Sequence, residues 1–192
     1  MKLFLLGMLL IYGVERVFET FWKRNRIEGH VIAPYTLYLL VMAHLSVFLV
    51  ALYDGATKDA MPTFSAYIII VVGFFCVAIA TIVRISSIQT LGVYHSIQIE
   101  IRKNHELIIR GPYHCVRNPY YLSNAIEVMG FPLMVNSLAG ATLGLLLYWP
   151  CLYLRIVLEE RALLGAMRAP FSEYMRRVPR VVPTFFHAGA GI

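Results

Sequence analysis

The chain has 192 residues, of which 59% are hydrophobic and 15% are charged. A soluble domain is typically about 45–50% apolar and about 25% charged, so this composition excludes an ordinary soluble protein. The mean hydropathy of +0.67 and the formal net charge of +6 indicate an integral membrane protein with a basic face.

Five apolar segments follow one another along the chain, each near the length of about 20 residues that a helix needs to cross a bilayer. The stronger three comprise residues 33–52, 64–83 and 138–157, and the two weaker ones, which carry ionisable side chains, comprise residues 3–21 and 120–136. No small-residue cleavage site follows the first apolar run, so we interpret it as a helix rather than a signal peptide. The predicted fold is an all-α integral membrane protein with about five transmembrane helices.

The length leaves little sequence for a second unit, so we predict a single membrane domain over residues 1–192. Residues 1–85 would contribute three transmembrane helices, and residues 86–192 a C-terminal core with two more. Within the core, residues 93–109 ("VYHSIQIEIRKNHELII") alternate apolar and polar side chains, which favours an extended, ordered loop. The tail contains a short amphipathic helix, "FSEYMRRV", which we expect to fold back on the same face as this loop.

Basic residues between the apolar segments predict the orientation in the membrane. The "KRNR" turn at residues 23–26, the loop of residues 86–118 and the tail after Glu159 carry almost all of them, whereas only Lys2 and Lys58 fall on the opposite side. We therefore predict an external N-terminus, with the C-terminus, this loop and the tail, and any site that they form, cytoplasmic. This charge suits attraction to anionic membrane lipids. No nucleic-acid-binding motif accompanies it, and the oligomeric state stays open.

Other ionisable and metal-ligating residues give weaker signals. The three cysteines, Cys76, Cys115 and Cys151, lie in different segments without metal-ligand spacing, which predicts neither a disulfide framework nor a metal site. His44 in "MAHLS" and Glu127 in "AIEVMG" fall inside apolar segments, where ionisable groups suggest function. Whether these two side chains line a substrate cavity is left open, since a lone buried histidine is more often a satisfied hydrogen-bonding residue.

The last apolar segment ends in a charged pair. Arg155 and Glu159 are four residues apart and therefore lie on one helix face, and Glu160 adds a second carboxylate. Pro150, earlier in the same segment, should kink this helix. A cation and an anion at the mouth of a kinked helix favour a binding function over a simple salt bridge.

A polar, aromatic stretch, "RGPYHCVRNPYYLS", precedes the fourth apolar segment. Gly111 and Pro112 predict a turn, Pro119 suits the first position of a helix, and Asn118 suits the N-cap before it. These local roles do not explain why arginines and tyrosines converge at this point, so we expect the stretch to contribute to a site as well.

Taken together, these motifs resemble those of the isoprenylcysteine carboxyl methyltransferase family, integral-membrane enzymes that use S-adenosylmethionine and are related to phospholipid methyltransferases. The family pattern is a His before an apolar run, Gly-x-Tyr, Arg-His-Pro-x-Tyr, then Arg-x-x-x-Glu and Tyr-x-x-x-Val-Pro. The chain has "HELII", "GPY", "RNPYY", "RIVLE" and "YMRRVP" between residues 91 and 185. The departure is Asn118, which stands where the family has His.

The resemblance implies a set of site residues. Arg155 and Glu159 would be catalytic, with Arg155 orienting the substrate. The residues that would hold S-adenosylmethionine are Gln98, His105, Glu106, Leu107, Ile108, Tyr113, Asn118, Pro119, Tyr120, Tyr121 and Glu159. These residue types suit the cofactor, because a sulfonium and an ammonium need an acidic partner and favour aromatic faces. No Gly-x-Gly-x-x-Gly loop indicates a Rossmann site, so the loop and the tail would form the cofactor site.

The implied activity is methyl transfer to a lipophilic substrate that enters from the bilayer, with the carboxylate of a prenylated cysteine or a similar lipid-linked acid as acceptor. A carboxylate, with a reference pKa of about 3.3–4.3, is ionised at neutral pH and needs no general base, unlike a phenol with a pKa near 10. Relatives of this fold also methylate phenolic or polyketide lipids, thiols and phospholipid amines. A non-enzymatic transporter or lipid-binding protein, and an NADPH-dependent reductase of the sterol type, remain alternatives.

Overall fold

The structure, a computed structural model, describes residues 29–58, 63–102 and 106–182 and is mostly helical. The helices are α1 (Tyr35–Thr57), α2 (Phe64–Leu91), α3 (Pro119–Met134), α4 (Leu138–Leu143), α5 (Trp149–Met167) and α6 (Ala169–Arg177). The shorter elements are strands β1 (His30–Ile32) and β2 (Ile99–Ile101), 3₁₀ turns Gly92–Tyr94 and Gly111–His114, and a π turn Gly144–Tyr148.

Three helical stretches of the described residues are long and apolar enough to cross a membrane: Tyr35–Thr57, Phe64–Tyr94 and Leu138–Met167. They coincide with the three stronger apolar segments of the sequence, and each extends further toward its C-terminal end. Their outward-facing side chains are largely apolar; Met42 and Leu146, for example, are 63% and 69% exposed. Such a surface suits contact with lipid tails, as expected for an integral membrane protein.

The other two predicted membrane helices are not among these three membrane-length stretches. Helix α3 forms where residues 120–136 predict it, but its 16 residues are fewer than the roughly 20 that a straight crossing needs. The segment of residues 3–21 lies outside the described residues. The total of five transmembrane helices and the N-terminus-outside orientation therefore stay predictions.

A small antiparallel sheet makes the fold less purely α than the sequence predicted. Strand β1 pairs with β2 in a register that places His30 opposite Ile101 and Ile32 opposite Ile99. The alternating pattern around Ile99 had indicated an extended segment, and β2 confirms it. The pairing fastens the chain just before α1 to the loop after α2.

Two glycines allow the backbones of α2 and α3 to approach closely. A Cβ on Gly73 would lie 2.3 Å from the backbone nitrogen of Met134, and one on Gly130 would lie 2.7 Å from the Cβ of Cys76. Membrane helices associate through close packing of small residues, because lipid tails provide no hydrophobic driving force between them. The Gly73–Gly130 contact therefore fixes the position of α3 beside α2.

An apolar core lies between α1, α3 and α5. Its buried members are Leu40, Ala43, Val47, Tyr121, Ala125, Val128, Tyr148, Leu152 and Ile156. Tyr121 is the core residue nearest to the start of α3, so the same contacts that hold the helices together also fix the direction of its ring.

A kink was predicted at Pro150, and the structure has a π turn just before this proline. Residues 138–167 form one continuous helical stretch, and the π turn Gly144–Tyr148 lies immediately before Trp149 and Pro150. Proline lacks the backbone N–H, and its ring clashes with the carbonyl four residues earlier. A π turn provides the extra space at that carbonyl.

The C-terminal part folds back on the start of α3, as the sequence predicted. The backbone N–H of Arg117 donates to the carbonyl of Pro179 at 2.9 Å, and that of Asn118 donates to the carbonyl of Arg180 at 3.1 Å. Phe171 of α6 is buried. The loop after α2, the start of α3 and the end of α5 thereby meet α6 at one end of the molecule.

Candidate functional site

A cavity of about 110 Å³ opens where these four elements meet. Most of the residues that the sequence assigns to a cofactor line it: Gln98, Glu106, Leu107, Ile108, Tyr113, Asn118, Tyr120, Tyr121 and Glu159. Pro119 is buried at the first position of α3 and is not among the lining residues. His105 lies outside the described residues. The structure thus gathers into one place residues that the chain spreads from the loop to α5.

Local backbone geometry directs three of the tyrosines into this space. Gly111 has a φ of +58°, a conformation that glycine adopts readily, and a Cβ there would lie 2.8 Å from Oγ1 of Thr90. This turn brings Tyr113 under the loop, where it is buried. Pro119 then begins α3, which places Tyr120 and Tyr121 in its first turn.

Glu159 provides a carboxylate at the cavity wall. The hydroxyl of Tyr121 donates a hydrogen bond to Oε2 of Glu159. The same hydroxyl accepts a hydrogen bond from Nε of Arg155 at 3.0 Å. The cation and the anion that the sequence placed on one helix face are therefore connected through a tyrosine of α3.

Arg155 lies behind the cavity rather than at its surface. Its side chain is buried, and besides Tyr121 it donates from Nη1 to Oγ1 of Thr36 at 2.8 Å and from Nη2 to the carbonyl of Ile97 at 2.5 Å. Arg155 is not among the residues that line the cavity. It fastens α1, the loop and α3 together at a single guanidinium, and its role toward a substrate stays a prediction.

The N-cap position predicted for Asn118 is confirmed, but the side-chain hydrogen bond typical of such a cap does not form. Nδ2 of Asn118 donates instead to Oε1 of Glu160 at 2.8 Å and to the carbonyl of Arg180 at 3.1 Å. A hydrogen bond to a buried carboxylate is charge-assisted and stronger than one to a neutral acceptor, so the amide turns toward Glu160.

Several lining residues were not predicted from the sequence: Leu91, Tyr94, His95, Ser96, Glu100, Arg102, Arg117, Leu163, Met167, Phe171 and Tyr174. A signal existed for Phe171 and Tyr174, which are three apart on the apolar face of the amphipathic α6. Tyr94 and His95 sit in an irregular turn after α2, and nothing in their local sequence separates them from ordinary loop residues.

Two tyrosines of the wall keep their hydroxyl protons at physiological pH. Burial raises the pKa of Tyr113 well above its usual value, and the nearby Glu159 carboxylate raises it further. Burial likewise raises the pKa of Tyr174. Because it stays protonated, the Tyr174 hydroxyl can donate to the carbonyl of Tyr113 at 2.6 Å and so join α6 to the turn before α3.

The donor set of this cavity fits S-adenosylmethionine in kind. Carboxylates of Glu106 and Glu159 suit its cationic groups, tyrosine and apolar walls suit its adenine, and Gln98 offers an amide for hydrogen bonding. Within residues 29–58, 63–102 and 106–182, no group of three or more His, Cys, Asp or Glu side chains could hold a metal ion. The arrangement suits a charged organic ligand.

A second polar cluster lies between α2 and α3. Nη1 of Arg84 is 2.6 Å from Oε2 of Glu127, and both side chains are almost completely buried. Glu127 and His44 also border a space of about 10 Å³ between α1 and α3, together with residues that include Phe131. That space has room for about one water molecule, and it shares no lining residue with the larger cavity.

Comparison with known proteins connects these features to a family. The sequence profile of the isoprenylcysteine carboxyl methyltransferase (ICMT) family matches residues 69–165. The chain is 28% identical over 172 residues to the cobalt-zinc-cadmium resistance protein CzcN of Cupriavidus metallidurans, covering 89% of the chain and 69% of CzcN. It is 30% identical over 139 residues to the nickel-cobalt-cadmium resistance protein NccN of Alcaligenes xylosoxydans xylosoxydans, covering 72% and 61%.

Two further relatives carry the methyltransferase name. The protein-S-isoprenylcysteine O-methyltransferase of Schizosaccharomyces pombe is 27% identical over 122 residues, which cover 62% of the chain and 51% of that enzyme. The solved structure of a eukaryotic intramembrane Ras methyltransferase, ICMT, superposes with a TM-score of 0.63 at 21% identity and covers 74% of the chain and 51% of the eukaryotic one. The matched region thus spans about half the length of these two proteins, and the structural likeness extends to the fold.

Proposed function

Because the chain belongs to the isoprenylcysteine carboxyl methyltransferase family of membrane methyltransferases, we propose that it transfers a methyl group from S-adenosylmethionine to a lipophilic acceptor in the membrane. The favoured acceptor is the carboxylate of a prenylated cysteine or of a similar lipid-linked acid. The observation that carries the proposal is the cavity at Glu159, where acidic and aromatic side chains line a space at the end of a helix long enough to cross a bilayer.

Each side of the cavity has a role in this proposal. Bound S-adenosylmethionine supplies an electrophilic methyl group on a positively charged sulfur. Glu159 would oppose the positive charge of the ligand, and Tyr113 and Tyr120 would offer aromatic faces to it. Leu107 and Ile108 would form an apolar wall against the adenine.

The chain's own contribution to the rate is positioning and exclusion of water. A reaction between an anion and a cation cancels charge, and a dry site favours it over the separated, hydrated ions. Holding two reactants in line converts a bimolecular encounter into an effectively unimolecular step. No side chain has to remove a proton when the acceptor is a carboxylate, since its reference pKa of about 3.3–4.3 leaves it ionised.

Arg155 suits the role of a group that orients an acid. A guanidinium has five N–H donors, and Tyr121, Thr36 and the carbonyl of Ile97 each accept one from Arg155. One further N–H remains on each of Nη1 and Nη2. A substrate carboxylate that reaches Arg155 behind the cavity, where its side chain is 2% exposed, would receive a charge-assisted pair of hydrogen bonds. The rigid anchoring of the guanidinium would fix the direction from which the acceptor approaches.

Calorimetric titration of the purified protein with S-adenosylhomocysteine tests the cofactor assignment. We expect saturable binding to the unaltered protein and a large loss of affinity in Glu159→Ala. Glu173→Ala, which removes an exposed carboxylate of α6, serves as the matched control and should bind like the unaltered protein. Absence of binding to the unaltered protein would remove the methyltransferase proposal, and binding of NADPH in its place would favour the reductase alternative.

A second experiment identifies the acceptor. The protein is incubated with radiolabelled S-adenosylmethionine and a panel that contains prenylcysteine analogues, phenolic lipids, long-chain thiols and phospholipid amines. We expect base-labile methyl esters on the prenylcysteine analogues. If label enters only the phenols, thiols or amines, the carboxyl acceptor is wrong while the methyltransferase activity stands.

A further inference from the structure

Glu160 is a buried carboxylate that the proposed reaction does not use. It follows Glu159 in α5, and successive residues of a helix point about 100° apart. Glu159 lines the cavity, and Glu160, which is 3% exposed, is not among the lining residues. The two adjacent carboxylates therefore face different surroundings.

Three side chains converge on Glu160. Arg117 donates from Nε to Oε1 at 3.0 Å and from Nη2 to Oε2 at 3.3 Å, so its guanidinium grips both oxygens. Asn118 donates from Nδ2 to Oε1 at 2.8 Å, and Arg180 donates from Nε to Oε2 at 2.8 Å. A buried carboxylate is costly unless it is paired and hydrogen-bonded, and here both oxygens are satisfied.

The partners of Glu160 also hold the C-terminal segment. Nη1 of Arg117 donates to the carbonyls of Met175 at 2.9 Å and Val178 at 2.5 Å, at the end of α6. Nδ2 of Asn118 donates to the carbonyl of Arg180 at 3.1 Å. Each partner that reaches Glu160 from the start of α3 therefore also binds the backbone of the tail.

We propose that Glu160 is a positioning residue that closes the C-terminal wall of the cavity. With Arg117, Asn118 and Arg180 it forms a clamp that ties α6 and the tail to the start of α3. Phe171 of α6 lines the cavity, so an open clamp displaces a wall of the site without removing any group that touches the ligand. The inference rests on the proposed function only in taking that ligand to be S-adenosylmethionine.

The clamp also accounts for the residue at position 118, where the family has His. An amide nitrogen carries two donor hydrogens, which Asn118 directs to Glu160 and to the carbonyl of Arg180. A neutral imidazole has one N–H donor and could serve only one of these acceptors. Asn118 is therefore suited to joining the carboxylate and the tail at once.

Two variants test the clamp, and they weaken it to different extents. Glu160→Gln removes the charge that holds Arg117, whose side chain is 8% exposed, and so risks misfolding. Arg180→Ala is gentler, because Arg180 is 34% exposed and its loss leaves Glu160 paired with Arg117. Glu173→Gln, which breaks only exposed ion pairs with Arg176 and Arg177, is the matched control.

The first readout is independent of any activity. Hydrogen exchange of the α6 amides is measured without ligand on the full-length protein. Because the clamp opposes local opening, we expect α6 to exchange about tenfold faster in Arg180→Ala and faster still in Glu160→Gln. Glu173→Gln should stay close to the unaltered protein. Unchanged exchange of α6 in both clamp variants would overturn the proposal.

The second readout separates positioning from loss of folded protein. For the clamp variants we expect the KM for S-adenosylmethionine to rise about tenfold while the KM for the acceptor stays unchanged. A fall in kcat with both KM values unchanged would indicate a smaller folded fraction and would contradict a positioning role. If the unaltered protein binds no S-adenosylhomocysteine, the proposed function fails, whereas faster α6 exchange in the variants would still show the clamp.

Discussion

Two carboxylates of this protein, the fully buried Glu127 and the partly exposed Glu159, differ in what lies beside them. Glu127 is in direct contact with Arg84 between two helices and borders only about 10 Å³ of space. Glu159 is joined to Arg155 through Tyr121 and faces a cavity of about 110 Å³. An ionisable residue in an apolar helix can thus fasten helices or build a site, and the adjoining space distinguishes the two roles.

The largest expected effect is on stability and comes from Glu127, the carboxylate that fastens two helices. Glu127→Ala leaves the guanidinium of Arg84 buried without its carboxylate, which should lower the free energy of unfolding by roughly 3–5 kcal/mol. Denaturant unfolding in detergent micelles measures this loss. The fraction that remains folded should bind S-adenosylhomocysteine with unchanged affinity.

A double variant provides the control for that prediction. Replacing both partners, in Arg84→Met with Glu127→Leu, removes the pair without leaving a charge behind, and stability should return to within about 1–2 kcal/mol of the unaltered protein. A folded Glu127→Ala protein that has lost its affinity for S-adenosylhomocysteine would contradict the purely structural role of Glu127.

The second prediction concerns Glu159, the carboxylate that lines the cavity. Glu159→Gln keeps the shape and an acceptor for the Tyr121 hydroxyl but removes the negative charge. Affinity for S-adenosylhomocysteine should fall roughly ten- to hundredfold, because a charge-assisted contact to the ligand's ammonium is lost. Calorimetry measures this fall, and denaturant unfolding should show a loss of stability well below that of Glu127→Ala. The reverse ranking of the two variants would exchange the roles assigned to the two carboxylates.

Tyr121→Phe tests the connection within the site. The substitution keeps the ring in the apolar core and removes the hydroxyl that receives a hydrogen bond from Arg155 and donates one to Glu159. We expect kcat/KM to fall about tenfold or more, because hydrogen bonds to two charged groups are lost. Steady-state rates with saturating acceptor provide the measurement, and an unchanged kcat/KM would mean that Arg155 and Glu159 act independently.

Asn118→His has the smallest expected effect and a pH signature. A neutral imidazole serves one of the two acceptors of Asn118, which should raise the KM for S-adenosylmethionine a few-fold, about two to five times, at pH 8. Below the reference histidine pKa of about 6.5 both ring nitrogens carry protons, so the deficit should shrink at pH 6. A deficit that grows as the pH falls would mean that the imidazole does not take the place of the amide.

Strong local patterns predicted much of this fold. The long apolar runs that form α1 and α2 and the alternation around Ile99 depend only on neighbouring residues, and all three appear in the structure. For the helix around Pro150 the sequence predicted a kink but not the π turn that precedes the proline. The missing N–H of proline indicates that the helix cannot stay regular, but it does not indicate which irregular geometry the backbone adopts.

The contacts of the site were harder to predict from the sequence, because they join segments that are far apart along the chain. Asn118 was expected to cap α3, but the acceptor that competes for its amide, Glu160, lies 42 residues further along the chain. Thr36 receives a hydrogen bond from Arg155 across 119 residues. The motifs identified some of the residues that line the cavity, Glu159 among them, and only the packed structure showed that Glu160 binds Arg117, Asn118 and Arg180 instead.

Hydrogen exchange with and without S-adenosylhomocysteine tests the central claim, that the cavity at Glu159 is the cofactor site, most directly. Ligand should slow exchange in the loop around Gln98, in residues 106–108 and in α6, whose side chains line that cavity. The segments that contain His44 and Phe131 beside the small gap should stay unchanged. Protection confined to those two segments, with none in the loop or α6, would contradict the account.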